Sequence, residues 1–572
     1  MINPLLIPFE AVRNPKASLA LRNPSALTAT DAHLMHRFNW MVAGQTATGN
    51  EERRLFHAER YGGHGIGVNG GGARCGVDGE YQIKGIGPNP LVGEDANFWY
   101  AHGQLALADA LQESIWGEVL HLALPYGAVR VPAVIATGTE CWIRGPMGEK
   151  NTAPRALAVR EQAWRPAHFQ RAVYFRPQRE YRHTLALDAE RVRAAMAWLP
   201  DLLPLPSALS ATEAAQLSPI DKLHFGLTEM VRRFAEQNAA AKAKRIMHGA
   251  IGASNCCLDG RWIDYGSVTA LPGFANSCDF TPSFWADQMA LATVIADTCY
   301  YIGKYFPTED KAALPQAQPL LQIFGETFQA ALSRRFLSLT GLPENLLENH
   351  WQRPEPVRLA ELIVRLAQSG TTSRLPSESE ALAGVGDFRL GAILTALAHW
   401  HDHPEAEARL SPLLPAAPLR EQTLTAYRAC MDLARGEAAQ LGIAAEPLRR
   451  VCQLNAMKSA RGMPELYSYN LTRRTRQLLE DHPDPDSLRP AAEALLNELS
   501  DHARFIWQDP QTAWTRVYQQ GNTRVEFNAV SNRWQWFHDG LREELPDTSL
   551  HTHPALAAMR RFWGDPLLEI LS

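Results

Sequence analysis

The spacing of apolar and polar positions divides the chain into a strand-bearing first half and a helical second half. In GEYQIKGIG, Tyr81 and Ile83 alternate with Gln82 and Lys84, the period of a half-buried strand with Lys84 on the Gln82 face. From about Ala101 to Leu124 the period becomes helical, with Leu107, Leu111, Ile115, Val119 and Leu122 forming one apolar stripe. PYGAVRVPAVIATG then returns to strand-like composition. A long helix is predicted from about residue 217, and beyond about 285 the pattern is helical. Loop-like stretches interrupt it near 369–386 and 411–420. Residues 1–55 read as an irregular leader with short helical pieces, and 151–210 as a basic, proline-punctuated segment. The pair Asp259–Gly260 between apolar residues marks a tight hairpin turn, which brings Asn255 and Asp264 to one end of the hairpin. No internal repeat is present.

Composition narrows the class. Of 572 residues, 46% are apolar and 20% charged, enough for a large buried core. A net charge of -5 supplies no electrostatic case for bulk nucleic-acid binding. No run approaches the roughly 20 apolar residues of a membrane span, and the first residues lack a signal-peptide pattern. The eight cysteines are scattered apart from the adjacent Cys256–Cys257, so neither a zinc finger nor a disulfide framework is expected. A reduced, cytoplasmic protein fits.

Candidate chemistry concentrates in four segments. HGAIGASN followed by IDYG, residues 248–266, offers Asn255 and Asp264 as hard oxygen ligands for Mg²⁺ or Mn²⁺. Lys84 is a candidate phosphate lysine, with Glu113 or Glu118 on the following helix as its carboxylate partner. Helical periodicity favours Glu118, which falls on the apolar stripe and there requires a cationic partner. YGGHGIGVNGGGAR, residues 61–74, offers backbone amides around Gly71 and Gly72, together with Arg74, to phosphates, although it is no Walker A loop. Arg160 and Arg165 suit forked phosphate recognition. HWHDH at 399–403 reads as a surface cluster rather than a metal site, and Cys256–Cys257 as packing.

Taken together these segments resemble the SelO (YdiU) family of protein adenylyltransferases, over about residues 55–310. HGAIGASN and IDYG are similar to the family's HGVMNTDN and [LI]DYG at the same spacing. YGGHGIGV with GGAR resembles YSGHQFGV with GDGR, IKGIGPNP resembles LKGAGxTP, and QESIWGEVLHLALP resembles the helix that carries the lysine's partner. That register implies Glu113 rather than Glu118 beside Lys84, and it implies nucleotide contacts from Arg160 and Arg165. Members turn ATP around relative to ordinary kinases and transfer AMP to protein hydroxyls. This chain departs from the pattern at Ser254, where the family has an acidic residue proposed as base. A kinase-loop aspartate is missing at Ala250, and Glu94 and Asp95 match the family's GDGRA only loosely. The family's C-terminal redox cysteine or selenocysteine has no counterpart in FWGDPLLEILS.

The resulting expectation is an α+β, bilobal protein-kinase-like (pseudokinase) fold with a helical C-terminal extension. Its divisions are a leader at 1–55, an N-lobe at 56–150, a C-lobe with the nucleotide and metal site at 151–310, and a mostly helical extension at 311–572. The expected activity is ATP-dependent transfer of AMP to a hydroxyl or carboxylate of a protein or peptide, the latter in peptide maturation. Lys84, Glu113 and Asp264 would act in catalysis, and Gly71, Gly72, Arg74, Arg160 and Arg165 in nucleotide binding. Two alternatives stand beside it: an inactive nucleotide-binding scaffold that docks a partner on its C-terminal half, and a small-molecule kinase.

Overall fold

In the computed structural model, residues 5–44, 52–145, 147–273, 284–369, 389–507, 513–545 and 553–564 are described, with 567 and 570. The first part is built on an eight-stranded antiparallel sheet in the order β2-β7-β8-β6-β5-β4-β1-β3. Its strands are β1 Leu6–Arg13, β2 Ser18–Arg22, β3 Trp40–Val42, β4 Arg53–Glu59, β5 Cys75–Asp78, β6 Tyr81–Lys84, β7 Ala133–Arg144 and β8 Lys150–Glu161.

The described residues before 55 hold one short helix, Asp31–Phe38, as expected of the leader, but their other elements are strands rather than irregular chain. β1 pairs with β4 from Leu6↔Glu59 to Val12↔Arg53, and β2 pairs with β7. Proline obscured the strand, because Pro8 lies within β1. β3 reaches only Ala11–Arg13 of β1, so Pro8 has no ladder neighbour on that side and its missing N–H is tolerated.

The lysine strand β6 lies inside the sheet, with Cys75↔Lys84 on one side and Lys84↔Ala158 on the other. It is buried on both faces rather than half-buried. Ile83 enters a core with Phe38, Trp40 and Phe56, while Gln82 and Lys84 are only 1% and 2% exposed. The cross-strand pair Gln82↔Arg160 places Arg160 on the same face as Lys84, since side chains alternate along each strand.

The helix predicted from Ala101 spans Leu107–Ala123, preceded by a separate short turn of helix at Phe98–Ala101. It is buried on more than one stripe, because the sheet covers one side and the helices Ser468–Asp481 and Pro485–Ile506 cover another. Leu111, Ile115 and Val119 are at most 1% exposed, each contributing about 1.5–3 kcal/mol by burial. Gln112 Nε2 donates to Thr475 Oγ1 at 2.9 Å, and the Arg22 amide donates to Glu493 at 3.1 Å. The C-terminal helices thus hold this helix directly against the sheet.

The long helix Pro219–Ala243 begins at Ser218, whose hydroxyl accepts from the Asp221 amide, and Pro219 suits its first turn. Two short strands follow, β9 Ile246–Met247 and β10 Thr269–Ala270. Beyond 285 the chain is mainly helical, but not throughout. β11 Trp514–Gln520, β12 Thr523–Asn528, β13 Arg533–His538 and β14 Leu541–Leu545 form an antiparallel meander. The stretch at 411–420 turns helical from Ala417, while that at 369–386 lies outside the described residues after Ser369. In HWHDH, Asp402 and His403 are exposed and His399 and Trp400 half-buried, as a surface cluster requires, while His401 alone is buried. No metal-binding group of His, Cys, Asp and Glu occurs among the described residues. No described helix is long and apolar enough to cross a membrane.

Candidate active site

A cavity of about 510 Å³ opens where the sheet, the glycine loop and the 248–264 segment meet. Its wall includes Gly71, Gly72, Arg74, Lys84, Arg160, Arg165, Asn255 and Asp264. Eight of the nine residues singled out from the sequence thus line one cavity. The ninth, Glu113, stands directly behind Lys84 and is hydrogen-bonded to its ammonium.

Lys84 also donates to Asp264 Oδ1 at 2.6 Å, so one buried ammonium joins two carboxylates. Glu113 is the lysine's partner, and the periodicity argument for Glu118 is overturned. Glu118 does lie buried and does have the required cation, but that cation is Arg130, whose Nη2 is 2.6 Å away. Asn23 Nδ2 donates to the same carboxylate at 2.7 Å. Burial would raise the Glu118 carboxyl, and the hydrogen bonds from Asn23 and Arg130 more than reverse it.

Asp264 adopts φ +70°, in the left-handed region that side chains other than Gly, Asn and Asp seldom enter. The residue is held there by the turn that follows the hairpin. Cys256 bridges Trp262, the Cys257 amide donates to Arg261 O at 2.8 Å, and the Ile263 amide donates to Asn255 O at 3.2 Å. The expected hairpin geometry is present, although it is too short to be a regular strand pair. Burial acts to raise the Asp264 carboxyl, but Lys84, Arg160 and Arg74 outweigh it and hold the group far below the usual carboxylate range. Its side chain remains about one-third exposed, toward the cavity.

Asn255 donates from Nδ2 to Ala250 O at 2.7 Å, which orients the amide and leaves Oδ1 with only a long contact from Ser254 Oγ at 3.3 Å. Asn255 and Asp264 are hard donors of the type Mg²⁺ or Mn²⁺ accepts, and the remaining ligands would be waters and phosphate oxygens.

The two arginines are built into the wall. Arg160 Nε donates to Gln82 Oε1 at 2.7 Å, and Gln82 Nε2 donates to Glu59 Oε2 at 3.0 Å. Arg165 donates to Ser254 O at 2.9 Å and lies over the Tyr61 ring at 4.8 Å. Both arginines are at most 3% exposed, yet Arg160 Nη1 and Arg165 Nε have no hydrogen-bond partner among the described residues. Orphaned buried donors of this kind are costly, and both arginines contribute to the cavity wall, where a guanidinium suits anionic oxygens.

The glycine loop crosses between β4 and β5 and closes through the Arg60↔Gly71 bridge. Gly71 has φ +137°, and a Cβ there would meet Glu59 O at 2.3 Å, so only glycine permits this closure. Cys256 and Cys257 are fully buried, and burial raises both thiols, as packing residues. Glu94 and Asp95 pair at the exposed surface with Arg182 and Arg176 and take no part in the cavity.

Three contributors went unread in the sequence. Glu59 anchors Gln82 and Gln162 and lies 3.2 Å from His168 Nε2. Trp99 and Tyr100 form part of the cavity rim. The cross-strand register that links Glu59 to Arg160 through Gln82 has no local sequence signature, whereas the run NFWYAH carried an exposed-aromatic signal. No family model matches the chain, and no curated protein is similar to it.

Proposed function

We propose that this chain is a kinase-like, ATP-dependent adenylyltransferase that moves AMP to a protein or peptide acceptor. The observation that carries the reading is the contact of Lys84 with both Glu113 and Asp264, at a cavity whose wall also includes the buried Arg160 and Arg165. A glycine loop, a lysine strand, a carboxylate helix and a returning strand pair occur in the order expected of a kinase-like N-lobe.

In this reading the acceptor oxygen attacks the α-phosphorus, the bond from that phosphorus to the α–β bridging oxygen breaks, and pyrophosphate leaves with that electron pair. Lys84, Arg160 and Arg165 hold phosphate oxygens, and Glu113 orients Lys84. Asn255 and Asp264 would hold Mg²⁺ or Mn²⁺, which supplies charge neutralisation on the phosphates. Asp264 is the one carboxylate on the described wall, and its strongly depressed pKa makes it a poor proton acceptor. Ala250 and Ser254 offer no base at the positions where one is expected, and the other candidate acceptors on the wall are the imidazoles of His64 and His102. General-base help contributes about 10²–10⁴-fold, so an acceptor that is already ionised, such as a peptide carboxylate, suits this site better than an alcohol.

Incubation with ATP labelled at the α- or the γ-phosphate tests the reading. α-Label is expected on the acceptor, or in AMP released from a short-lived acyl-adenylate, while γ-label leaves in pyrophosphate and is not expected on the acceptor. Transfer of γ-phosphate would overturn it. The lack of a base at Ala250 and Ser254 also favours a second reading, a nucleotide-holding scaffold. Tight ATP binding with no transfer of either label across protein and peptide acceptors would select that one.

A further inference from the structure

A second, smaller cavity lies on the far side of the segment that leads into the active site. It has a volume of about 50 Å³ and is lined by Lys244, Arg245, Arg335, Asn455, Lys458 and Trp507, among others. Four helices end around it, namely Pro219–Ala243, Ala317–Ser338, Ala445–Arg461 and Pro485–Ile506. Helix C-termini leave carbonyls without partners and attract cations, which gives the basic side chains a structural purpose.

Carbonyls occupy two of the four cations, and a carboxylate a third. Lys244 Nζ donates to Ala123 O at 2.5 Å, the last carbonyl of the Leu107–Ala123 helix. Arg245 donates to Pro272 O at 2.9 Å and to Ser459 O at 3.1 Å. Gly462 makes room for it, since a Cβ there would strike the guanidinium at 1.9 Å. Arg335 faces Glu344 at 3.6 Å.

Lys458 remains. It is 7% exposed and borders the cavity, and its ammonium makes no hydrogen bond or ion pair among the described residues. The carboxylate that acts on it from the meander, Glu526, is already held by Arg516 at 3.2 Å and Arg524 at 3.1 Å. Burial pulls the Lys458 ammonium down to about 7, with Arg516 adding to the pull and Glu526 opposing it. A buried ammonium without a counter-charge is costly, and an entering anion would relieve it.

We propose that this cavity binds one tetrahedral oxyanion of the phosphate or sulfate class, with Lys458 as its principal ligand. The volume sets the class. A buried water needs about 10–15 Å³ of such space, so 50 Å³ admits a handful of heavy atoms and excludes a nucleotide. The site is independent of the adenylyl-transfer reading. It adjoins catalysis only through Arg245, which at φ +60° immediately precedes β9 and the His248 loop.

The test is a local footprint on the full chain. Lys458 acetylation by limiting acetic anhydride, read by peptide mass spectrometry, is expected to slow about fivefold or more in millimolar sulfate against sodium chloride of equal ionic strength. Sulfate bound in the nucleotide cavity would not produce that protection. Lys458→Met, which removes an unpaired buried amine, is expected to fold and to show a smaller sulfate-induced rise in Tm than the parent. Inorganic phosphate and glycerol 3-phosphate, run in parallel, distinguish a free ion from the phosphoryl group of a larger molecule. Lys458 acetylation that is insensitive to all three anions would overturn the proposal. So would an undiminished sulfate shift in Lys458→Met.

Discussion

The Lys84 ammonium lies 2.6 Å from Asp264 Oδ1, joining residues 180 positions apart while the same nitrogen holds Glu113. One cation therefore compensates a buried glutamate and a cavity aspartate together. Asp264 is additionally fixed by a left-handed backbone, so the arrangement combines charge with local strain, as functional sites often do.

Lys84→Met is expected to lower stability as well as nucleotide binding. Lys84 and Glu113 are both nearly inaccessible, and removing one member of a buried pair costs about 3–5 kcal/mol. Adding Glu113→Gln to Lys84→Met removes the stranded charge and is expected to recover much of the stability without recovering binding. Urea unfolding and ATP titration on the single and double variants measure the two effects separately. Equal losses of stability in both would show that the pair is not coupled.

Asp264→Asn is the informative change at the aspartate. Asparagine tolerates the left-handed backbone at φ +70°, whereas alanine there adds roughly 1 kcal/mol of strain. With Asn, the fold is expected to hold, while the metal-dependent part of ATP binding is lost. Calorimetric titration with and without Mg²⁺ reads this directly, and an unchanged metal dependence would remove Asp264 from the metal site.

Much of the site was legible because it depends on short-range patterns. The glycine loop, QIK, the Asp259–Gly260 turn and the spacing of Asn255 and Asp264 are each local. What escaped were consequences of packing. The Leu107–Ala123 helix is covered from two directions, so its buried positions form no single stripe and periodicity selected Glu118 instead of Glu113. β1 was hidden by Pro8, and its pairing is decided by β3 and β4 rather than by its own composition. The β11–β14 meander was readable in principle. Gly521–Asn522, Ser531–Asn532 and Asp539–Gly540 punctuate its strands, with positive φ at Gly521, Asn532, Asp539 and Gly540.

Glu59 gives the acid stability of the site a definite sign. Burial would raise its carboxyl, but His168 and Arg165 with the Gln162 amide bring it from an ordinary 4.5 down to about 2. A depressed carboxylate stabilises the fold above its unfolded pKa, and the contribution is lost as pH falls through the folded value. The parent is thus expected to lose stability between about pH 4.5 and 2 more steeply than Glu59→Gln, by an amount on the order of 3 kcal/mol. Thermal melts of both proteins across that window measure the difference, and parallel curves would remove Glu59 from the acid response.

Glu113→Gln and Glu118→Gln separate the two buried glutamates of one helix. Glu113 touches the cavity lysine, so its replacement is expected to weaken ATP binding about tenfold or more through loss of Lys84 orientation. Glu118 instead holds Arg130, Asn23 and Ser25, which tie the helix to the segment after β2. Its replacement leaves Arg130 without its charge partner and is expected to lower stability while leaving ATP affinity within about twofold. The contrast is sharper than either variant alone, because both changes remove one charge from the same helix. A loss of ATP affinity in Glu118→Gln matching that in Glu113→Gln would mean that the helix acts on the cavity through its overall placement, not through the Lys84 contact.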